Sequence, residues 1–205
     1  MGDVFWGLHA PIAANLIKAQ DLRVAVETGS HFGFGALQLA AMVDDVWTVE
    51  SDSGLHEFCK ATYDKVDRIR FFQGESDVIL GRYVAQMDQP TLFVLDAHWF
   101  PMSPRAAERP GNLCPVLEEL RVLSSAPSTL LAGSAVIVDD AQMFLGSLKT
   151  PFVRNALPSI TEILKLVDRA FDCTVVTDDV IVGCNNEGSR AIDEYLRWRD
   201  RLQFP

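Results

Sequence analysis

Apolar residues along this chain follow two alternating patterns. Short, nearly continuous apolar runs are typical of strands buried in a parallel sheet. They occur at residues 24–26, 46–51, 69–73, 91–96 and 135–140. Between them, apolar residues recur at helical spacing. This spacing predicts helices over residues 10–20, 36–43, 54–66, 116–123 and 160–170. The alternation predicts an α/β fold with a mainly parallel, doubly wound sheet and helices on both faces.

The C-terminal end has a different pattern. Residues 173–184, CTVVTDDVIVGC, contain two β-rich runs around a polar turn, which predicts an antiparallel hairpin, and residues 190–202 are typical of an amphipathic helix. Two long connections, residues 97–113 and 141–157, have no clear periodicity and are predicted to be lids or substrate-binding loops. We expect a single domain over all 205 residues, in which residues 1–22 form a helical cap on the sheet or over a ligand pocket.

The first predicted strand leads into a glycine-rich turn, in the segment VETGSHFGFG at residues 26–35. A strand, a glycine turn and a helix in this order direct unpaired N–H groups toward a ligand in the turn. The spacing differs from the Gly-x-Gly-x-x-Gly fingerprint of dinucleotide sites. Glu27 would repel a phosphate but suits a cationic ligand such as the amino acid end of S-adenosylmethionine (SAM). A tight turn without a ligand is the alternative.

Acidic residues follow the predicted strands, at one edge of the sheet. Glu50 lies 23 positions after Glu27, the separation at which a doubly wound fold places a carboxylate on ribose hydroxyl groups. A surface acid that ends a strand is the alternative. The turn Glu75-Ser76 would lie beside the base, with Ser76 placed to cap the next helix. The acids expected at this edge are Glu27, Glu50, Asp96, Asp139 and Asp140.

Three of these carboxylates come from consecutive strands. Asp96, Asp139 and Asp140 would repel one another unless a cation lies among them, and oxygen ligands favour Mg²⁺. Such an ion could bind a substrate hydroxyl group and lower its pKa. Asp139 could instead face a helix N-terminus or solvent. His98 is a candidate general base or an added ligand, and a histidine held by neighbouring backbone is the alternative.

Composition limits the partners that we expect. A formal net charge of -10 disfavours nucleic acid and anionic membranes, so a small-molecule acceptor is the better prediction. The four cysteines lack the close spacing of a zinc site and are expected to be reduced thiols. No segment has the pattern of a signal peptide or a membrane span. We expect a cytoplasmic protein, and a homo-oligomer is left open.

Five segments together resemble a known family. VETGSHFGFG, VES, QGES, LDAH and VIVDDA are similar to the successive motifs of class I SAM-dependent methyltransferases, over residues 24–183. The resemblance implies a seven-stranded sheet whose last strand is antiparallel. The Asp after the fourth strand and the acidic pair after the fifth resemble metal-dependent O-methyltransferases of the catechol and macrocin types. The catechol enzymes have Asp-Asn where this chain has Asp139-Asp140, a pair that the macrocin-like group accepts.

The resemblance implies roles for individual residues. Glu27, Gly29 and Gly33 would hold the methionine part of SAM, and Glu50 its ribose. Asp96 and His98 are the predicted catalytic residues, and the predicted ligands of Mg²⁺ are Asp96, Asp139 and Asp140. The full predicted cofactor-binding set is Glu27, Thr28, Gly29, Ser30, Gly33, Glu50, Ser51, Glu75, Ser76 and Asp96.

The resulting hypothesis is a SAM-dependent O-methyltransferase that transfers a methyl group to a hydroxyl group of a small molecule with the help of a divalent metal. Two alternatives stay open from the sequence. One is a noncatalytic cofactor-binding or partner-binding domain on the same fold. The other is a different enzyme on that fold.

Overall fold

The computed structural model describes residues 8–98, 114–145 and 157–203. These residues form a seven-stranded sheet in the order β3-β2-β1-β4-β5-β7-β6. Strand β7 is antiparallel to both neighbours, and the other pairs are parallel. The predicted fold class is confirmed. The strands are β1 (Val24–Thr28), β2 (Asp45–Glu50), β3 (Ile69–Gln73), β4 (Thr91–Leu95), β5 (Ala135–Val138), β6 (Cys173–Thr177) and β7 (Val180–Cys184).

Helices cover both faces of the sheet. Apolar residues of α1, α2 and α9 pack on one face, and those of α4, α5, α6, α7 and α8 pack on the other. The helices are α1 (Ala10–Gln20), α2 (Phe34–Ala40), α3 (Ser53–Thr62), α4 (Ser76–Tyr83), α5 (Val116–Ser124), α6 (Ser128–Gly133), α7 (Ala141–Phe144), α8 (Ile160–Ala170) and α9 (Asn186–Gln203). A short 3-10 turn, Val84–Gln86, follows α4.

The central strands are buried because both of their faces are covered. Every residue of β4, β5 and β7 is buried, as the continuous apolar runs TLFVL and AVIV predict. Strand β6, at the edge of the sheet, is only partly buried. The sheet thus separates two apolar layers, one on each face. The polar residues that follow the strands lie at the edge formed by the strand ends.

The N-terminal part of the described chain lies beside the glycine turn. Helix α1 packs against α9, and the backbone nitrogen of Leu8 lies 3.8 Å from the position of a Cβ built on Gly35. Apolar residues of α1 pack on one face of the sheet, and the role of residues 1–22 as a cap stays a prediction. Residues 1–7 of the predicted cap are outside the described residues.

Several predicted boundaries are wrong. Helix α3 ends at Thr62 rather than at residue 66, and α9 begins at Asn186 rather than at residue 190. Ser76 does not cap α4. Glu75 occupies the N-cap position, no side chain caps the helix, and Ser76 is its first residue, with a hydroxyl group that is buried instead.

The two predicted loops are only partly described. Residues 97 and 98 of the first loop are described, and residues 99–113 are not. The second loop was predicted to start at residue 141, but α7 forms there, and residues 146–156 lie outside the described ranges. The sequence pattern also missed α6, which precedes β5.

Two further expectations concern the whole chain. All four cysteines lie in described regions and are free thiols, as predicted. In the described ranges, no helix has both the length and the apolar character required to cross a bilayer.

Candidate functional site

A crevice site is expected where the strand order of a doubly wound sheet reverses, outside the carboxyl ends of the strands. Here the reversal falls between β1 and β4. Thr28 pairs with Leu95, and Leu95 pairs with Val138. The backbone ladder continues one step further, since Asp96 N donates to Thr28 O and Asp139 N to Leu95 O, each at 3.1 Å. The register therefore places Gly29, Asp96 and Asp139 side by side, directly after the ends of β1, β4 and β5.

The glycine turn after β1 is held by the neighbouring strand. Gly29 N and Ser30 N both donate to Val49 O, at 2.9 and 3.1 Å. Gly29 has a φ of 85°, and a Cβ there would collide with the backbone oxygen of Asp96. A Cβ at Gly35 would collide with Glu27 Oε1. The sequence suggested that these glycines bring the backbone close to a ligand, whereas these contacts are with the protein itself.

Glu27 is a carboxyl group enclosed by the turn. It is 5% exposed, and its Oε2 accepts a 2.5 Å hydrogen bond from Thr48 Oγ1. Thr48 Oγ1 also forms a 2.6 Å hydrogen bond with Ser30 Oγ. Burial raises the pKa of Glu27 to about 8, although the Thr48 hydrogen bond lowers it. A cation placed beside Glu27 would restore its negative charge.

Glu50 joins the glycine turn to the turn after β2. Its Oε2 accepts from His31 N at 2.9 Å, and its Oε1 accepts from Asp52 N at 2.8 Å. Each carboxylate oxygen has a second lone pair. The Glu50 side chain is thus fixed at the edge of the sheet and keeps the capacity to accept hydrogen bonds from a ligand hydroxyl group. Its predicted role toward ribose stays a prediction.

The turn at residues 74–76 lies beside the end of β2, because Gly74 N donates to Glu50 O at 2.9 Å. Ser76 is 6% exposed, and its Oγ has no hydrogen-bond partner among the described residues. The buried Oε1 of Glu119, on α5, also lacks one. Unpaired polar atoms in a protein interior are costly. These two side chains nevertheless lie close together, because the Ser76 hydroxyl group lowers the pKa of Glu119.

Sequence reasoning missed Glu119, which is 1% exposed. Burial raises its pKa to about 7, while the nearby hydroxyl groups of Ser76 and Thr28 lower it. A signal was present in the sequence. Position 119 belongs to the buried stripe of α5 together with Val116, Leu120 and Leu123, and an acid on such a stripe is unusual.

His98 lies between two of the predicted acids. Its Nδ1 is 3.3 Å from Asp96 Oδ1, and its Nε2 is 2.6 Å from Asp140 Oδ2. Strand β4 ends at Leu95, and His98 contacts Asp96 from the segment that follows. The His98 side chain is 13% exposed, and that of Asp140 is 42% exposed.

The charges of this cluster depend on one another. Burial lowers the pKa of His98. The Asp140 hydrogen bond and the neighbouring carboxylates together raise it by more than burial lowers it, so that the pKa is about 9. The same hydrogen bond lowers the pKa of Asp140. Burial raises the pKa of Asp96 to about 7 and that of Asp139 to about 6. At neutral pH, His98 is therefore an imidazolium next to carboxyl groups.

Asp140 is held in a left-handed conformation at the start of α7, with φ 54° and ψ 46°. Its backbone N donates to Asp139 Oδ1 at 2.9 Å. The β6–β7 turn fixes the next residues, because Ala141 N donates to Asp179 O at 2.8 Å and Gln142 N to Asp179 Oδ1 at 2.7 Å. Residues distant in sequence thus position Asp140.

The predicted magnesium site is not confirmed. Mg²⁺ requires several oxygen ligands in near-octahedral geometry, and in the described ranges no three His, Cys, Asp or Glu side chains are grouped to hold a metal ion. The ring of His98 occupies the space between Asp96 and Asp140. Asp139 Oδ1 already accepts the Asp140 N–H. In this arrangement the residues do not fit Mg²⁺.

No protein-family model matches the sequence, and no curated protein is significantly similar to it. An O-methyltransferase from Bacillus cereus in complex with SAH has a TM-score of 0.54 at 16% identity, over 88% of this chain and 81% of that one. The O-methyltransferase TomG from Streptomyces achromogenes, involved in tomaymycin synthesis and in complex with SAM, has a TM-score of 0.53 at 15% identity, over 84% and 77% of the chains. A SAH-bound methyltransferase from Podospora anserina has a TM-score of 0.54 at 12% identity, over 83% and 76%. This chain has the methyltransferase fold.

Within this fold, the predicted site residues lie at the carboxyl ends of β1 to β5 or in the segments that follow these strands. The turns after β1, β2 and β3 are joined there by backbone hydrogen bonds and by Glu50, and Asp96 extends the same ladder. Asp139 is in register with this group, but its carboxylate is partly used by Asp140 N. The residues at this edge are Glu27, Thr28, Gly29, Ser30, Gly33, Glu50, Ser51, Glu75, Ser76, Asp96, His98, Asp139 and Asp140.

Proposed function

We propose that this protein is a SAM-dependent methyltransferase that acts on a hydroxyl group of a small molecule. The observation that supports the proposal best is the group of acidic residues at the sheet edge where the strand order reverses, between β1 and β4, in a fold shared with O-methyltransferases. The net charge of -10 favours a small or cationic ligand over a nucleic acid.

The chain offers groups of the right chemistry for each part of SAM. Glu27 would bind the amino acid end, since a buried carboxyl group gains most from a cationic partner. Glu50 would accept hydrogen bonds from the ribose hydroxyl groups. The base would lie by Glu75 and Ser76, in the turn that a backbone hydrogen bond from Gly74 N joins to the end of β2. When bound, SAM supplies a methyl group on a sulfonium centre.

The acceptor would lie on the side of Asp96 and His98. Methylation of a hydroxyl group requires loss of its proton, and Asp96 is a proton acceptor matched to neutral pH because burial raises its pKa to about 7. His98 is not free to act as the base, because both of its ring nitrogens face carboxylates. Its positive charge would stabilise the negative charge that develops on the acceptor oxygen.

Calorimetry with SAM tests cofactor binding. The wild-type protein should bind SAM in a one-to-one ratio, and Glu50→Gln should weaken binding about tenfold or more because it removes the charge on the ribose acceptor. Asp64→Asn, at an exposed acid outside the crevice, is the matched control and should leave binding unchanged. Absence of SAM binding by the folded wild-type protein would refute the proposal.

Turnover separates an enzyme from a noncatalytic domain. With a panel of small hydroxyl compounds as acceptors, Asp96→Asn should lower kcat about 100-fold or more. A noncatalytic domain would bind SAM but methylate none of the compounds, and a metal-assisted enzyme would lose turnover on treatment with a chelator.

A further inference from the structure

The cluster around His98 has to balance a concentration of negative charge. Asp96, Asp139 and Asp140 leave adjacent strand ends, and Asp179 lies beside them. Carboxylates this close repel one another and need a compensating cation. Among the described residues, His98 is the basic side chain that lies between Asp96 and Asp140.

Each of the two ring nitrogens of His98 faces a different carboxyl group. Nδ1 faces Asp96 at 3.3 Å and Nε2 faces Asp140 at 2.6 Å. The ring therefore fills the space between the two carboxyl groups, with one nitrogen toward each. A divalent ion that bridged the same two oxygens would have to displace the ring.

The chain around His98 supports this position. Asp140 is held from outside the cluster, because its left-handed backbone starts α7 and the β6–β7 turn fixes Ala141 and Gln142. Asp96 is held by backbone hydrogen bonding to Thr28. The backbone that carries each of the two carboxyl groups is therefore held by residues outside the cluster.

We propose that His98 takes the place of a divalent cation in this crevice, and that methyl transfer by this protein needs no metal ion. The catalytic half of this inference rests on the proposed function, whereas the binding half does not. The disagreement between the predicted ligand set and the observed contacts is its basis, since the ring lies where the ion would have to bind.

Metal binding without turnover tests the inference. Mn²⁺ is a suitable probe, because electron paramagnetic resonance distinguishes free from bound ion and calorimetry gives the affinity. The wild-type protein should show no stoichiometric Mn²⁺ binding at micromolar concentration. His98→Ala leaves the carboxylates uncompensated and should bind Mn²⁺ about tenfold tighter or more. His98→Lys, which keeps a positive charge, is the matched control and should not gain binding.

The outcomes separate cleanly. Stoichiometric Mn²⁺ binding by the wild-type protein would overturn the inference, and so would equal affinities in folded His98→Ala and His98→Lys, with circular dichroism used to verify folding. If His98→Ala does not fold, His98→Asn replaces it, and the wild-type measurement is unaffected. Chelator-insensitive turnover would support the catalytic half. A protein that fails to bind SAM but behaves as expected toward Mn²⁺ would refute the proposed function alone.

Discussion

Glu27 is a residue whose protonation should report ligand binding. Its pKa is about 8 because it is buried, so at pH 7 it holds a proton in the free protein. A cationic amino acid group beside it favours the ionised form, and binding should therefore release a proton. Below pH 8, SAM affinity should rise with pH, approaching about tenfold per pH unit, and should level off above.

Calorimetry at pH 7 in two buffers of different ionisation enthalpy measures this proton release. Glu27→Gln cannot release the proton, so its apparent binding enthalpy should be the same in both buffers. Equal enthalpies for the wild-type protein would show that Glu27 does not meet the cationic group.

Glu119 should affect stability rather than ligand charge. Its pKa in the folded protein, about 7, lies above the ordinary value of 4.5. Between these values the folded state keeps a proton that the unfolded state releases, so this group lowers stability as pH rises toward 7. Glu119→Gln removes the effect. Relative to wild type, the variant should gain roughly 2 kcal/mol in unfolding free energy between pH 5.5 and pH 8.5.

Urea unfolding at the two pH values measures this gain. Glu118→Gln is the matched control, because Glu118 is half-exposed and pairs with Arg121 on the outside of the same helix. Its difference from wild type should be nearly the same at both pH values. A Glu119→Gln difference independent of pH would mean that Glu119 is ionised in the folded protein.

Among single residues, the sequence predicted those at the ends of strands and missed those whose role depends on packing. Glu27, Glu50 and Asp96 were found because parallel strands end at a common edge. Glu119 was missed because an acid on a helix is usually solvated. The contacts of Asp139 could not be predicted, because they depend on the left-handed backbone of Asp140.

The turn between β1 and α2 is an element whose conformation depends on glycine. Gly29→Ala places a methyl group against the Asp96 backbone oxygen at a φ of 85°. We expect a loss of roughly 1–3 kcal/mol in stability and weaker SAM binding, because β1 and β4 would separate at the crevice. Thermal unfolding and calorimetry measure the two effects.

Gly81→Ala is the control for this substitution. Gly81 lies within α4, and a Cβ there would meet the Val122 side chain at an ordinary 4.0 Å. Alanine is the better helix former, so the variant should be as stable as wild type or up to about 1 kcal/mol more stable. Equal stability of Gly29→Ala and Gly81→Ala would contradict the predicted strain in the turn.

Long elements were predicted and short ones were not. The strands of about five residues were recognisable as apolar runs, and α8 was recognisable as a helical repeat of apolar residues. Helix α8 begins at the Ser159–Glu162 capping box. Helices α6 and α7 have six and four residues, too few to show a periodic pattern. Helix α7 is also fixed by contacts from the β6–β7 turn, which local sequence does not encode.

The whole molecule carries an excess of negative charge, with a formal net charge of -10. This field should distinguish SAM from SAH, because the sulfonium gives SAM one more positive charge. Raising the salt concentration from about 0.02 M to about 0.5 M shortens the screening length. The Kd of SAM should rise more than the Kd of SAH, measured by calorimetry at each salt concentration. A parallel change in both values would exclude long-range attraction of the sulfonium.

The position of the β6–β7 hairpin in the sheet affects how the site is assembled during synthesis. Strand β7 lies between β5 and β6, with Ile181 paired to Val138, and the turn before it fixes the residues after Asp140. Residues 27–76, on the proposed cofactor side, are synthesised before this hairpin. The proposed acceptor side is complete only after the hairpin has joined the sheet. A nascent protein would thus acquire a cofactor pocket before it has a complete place for a substrate.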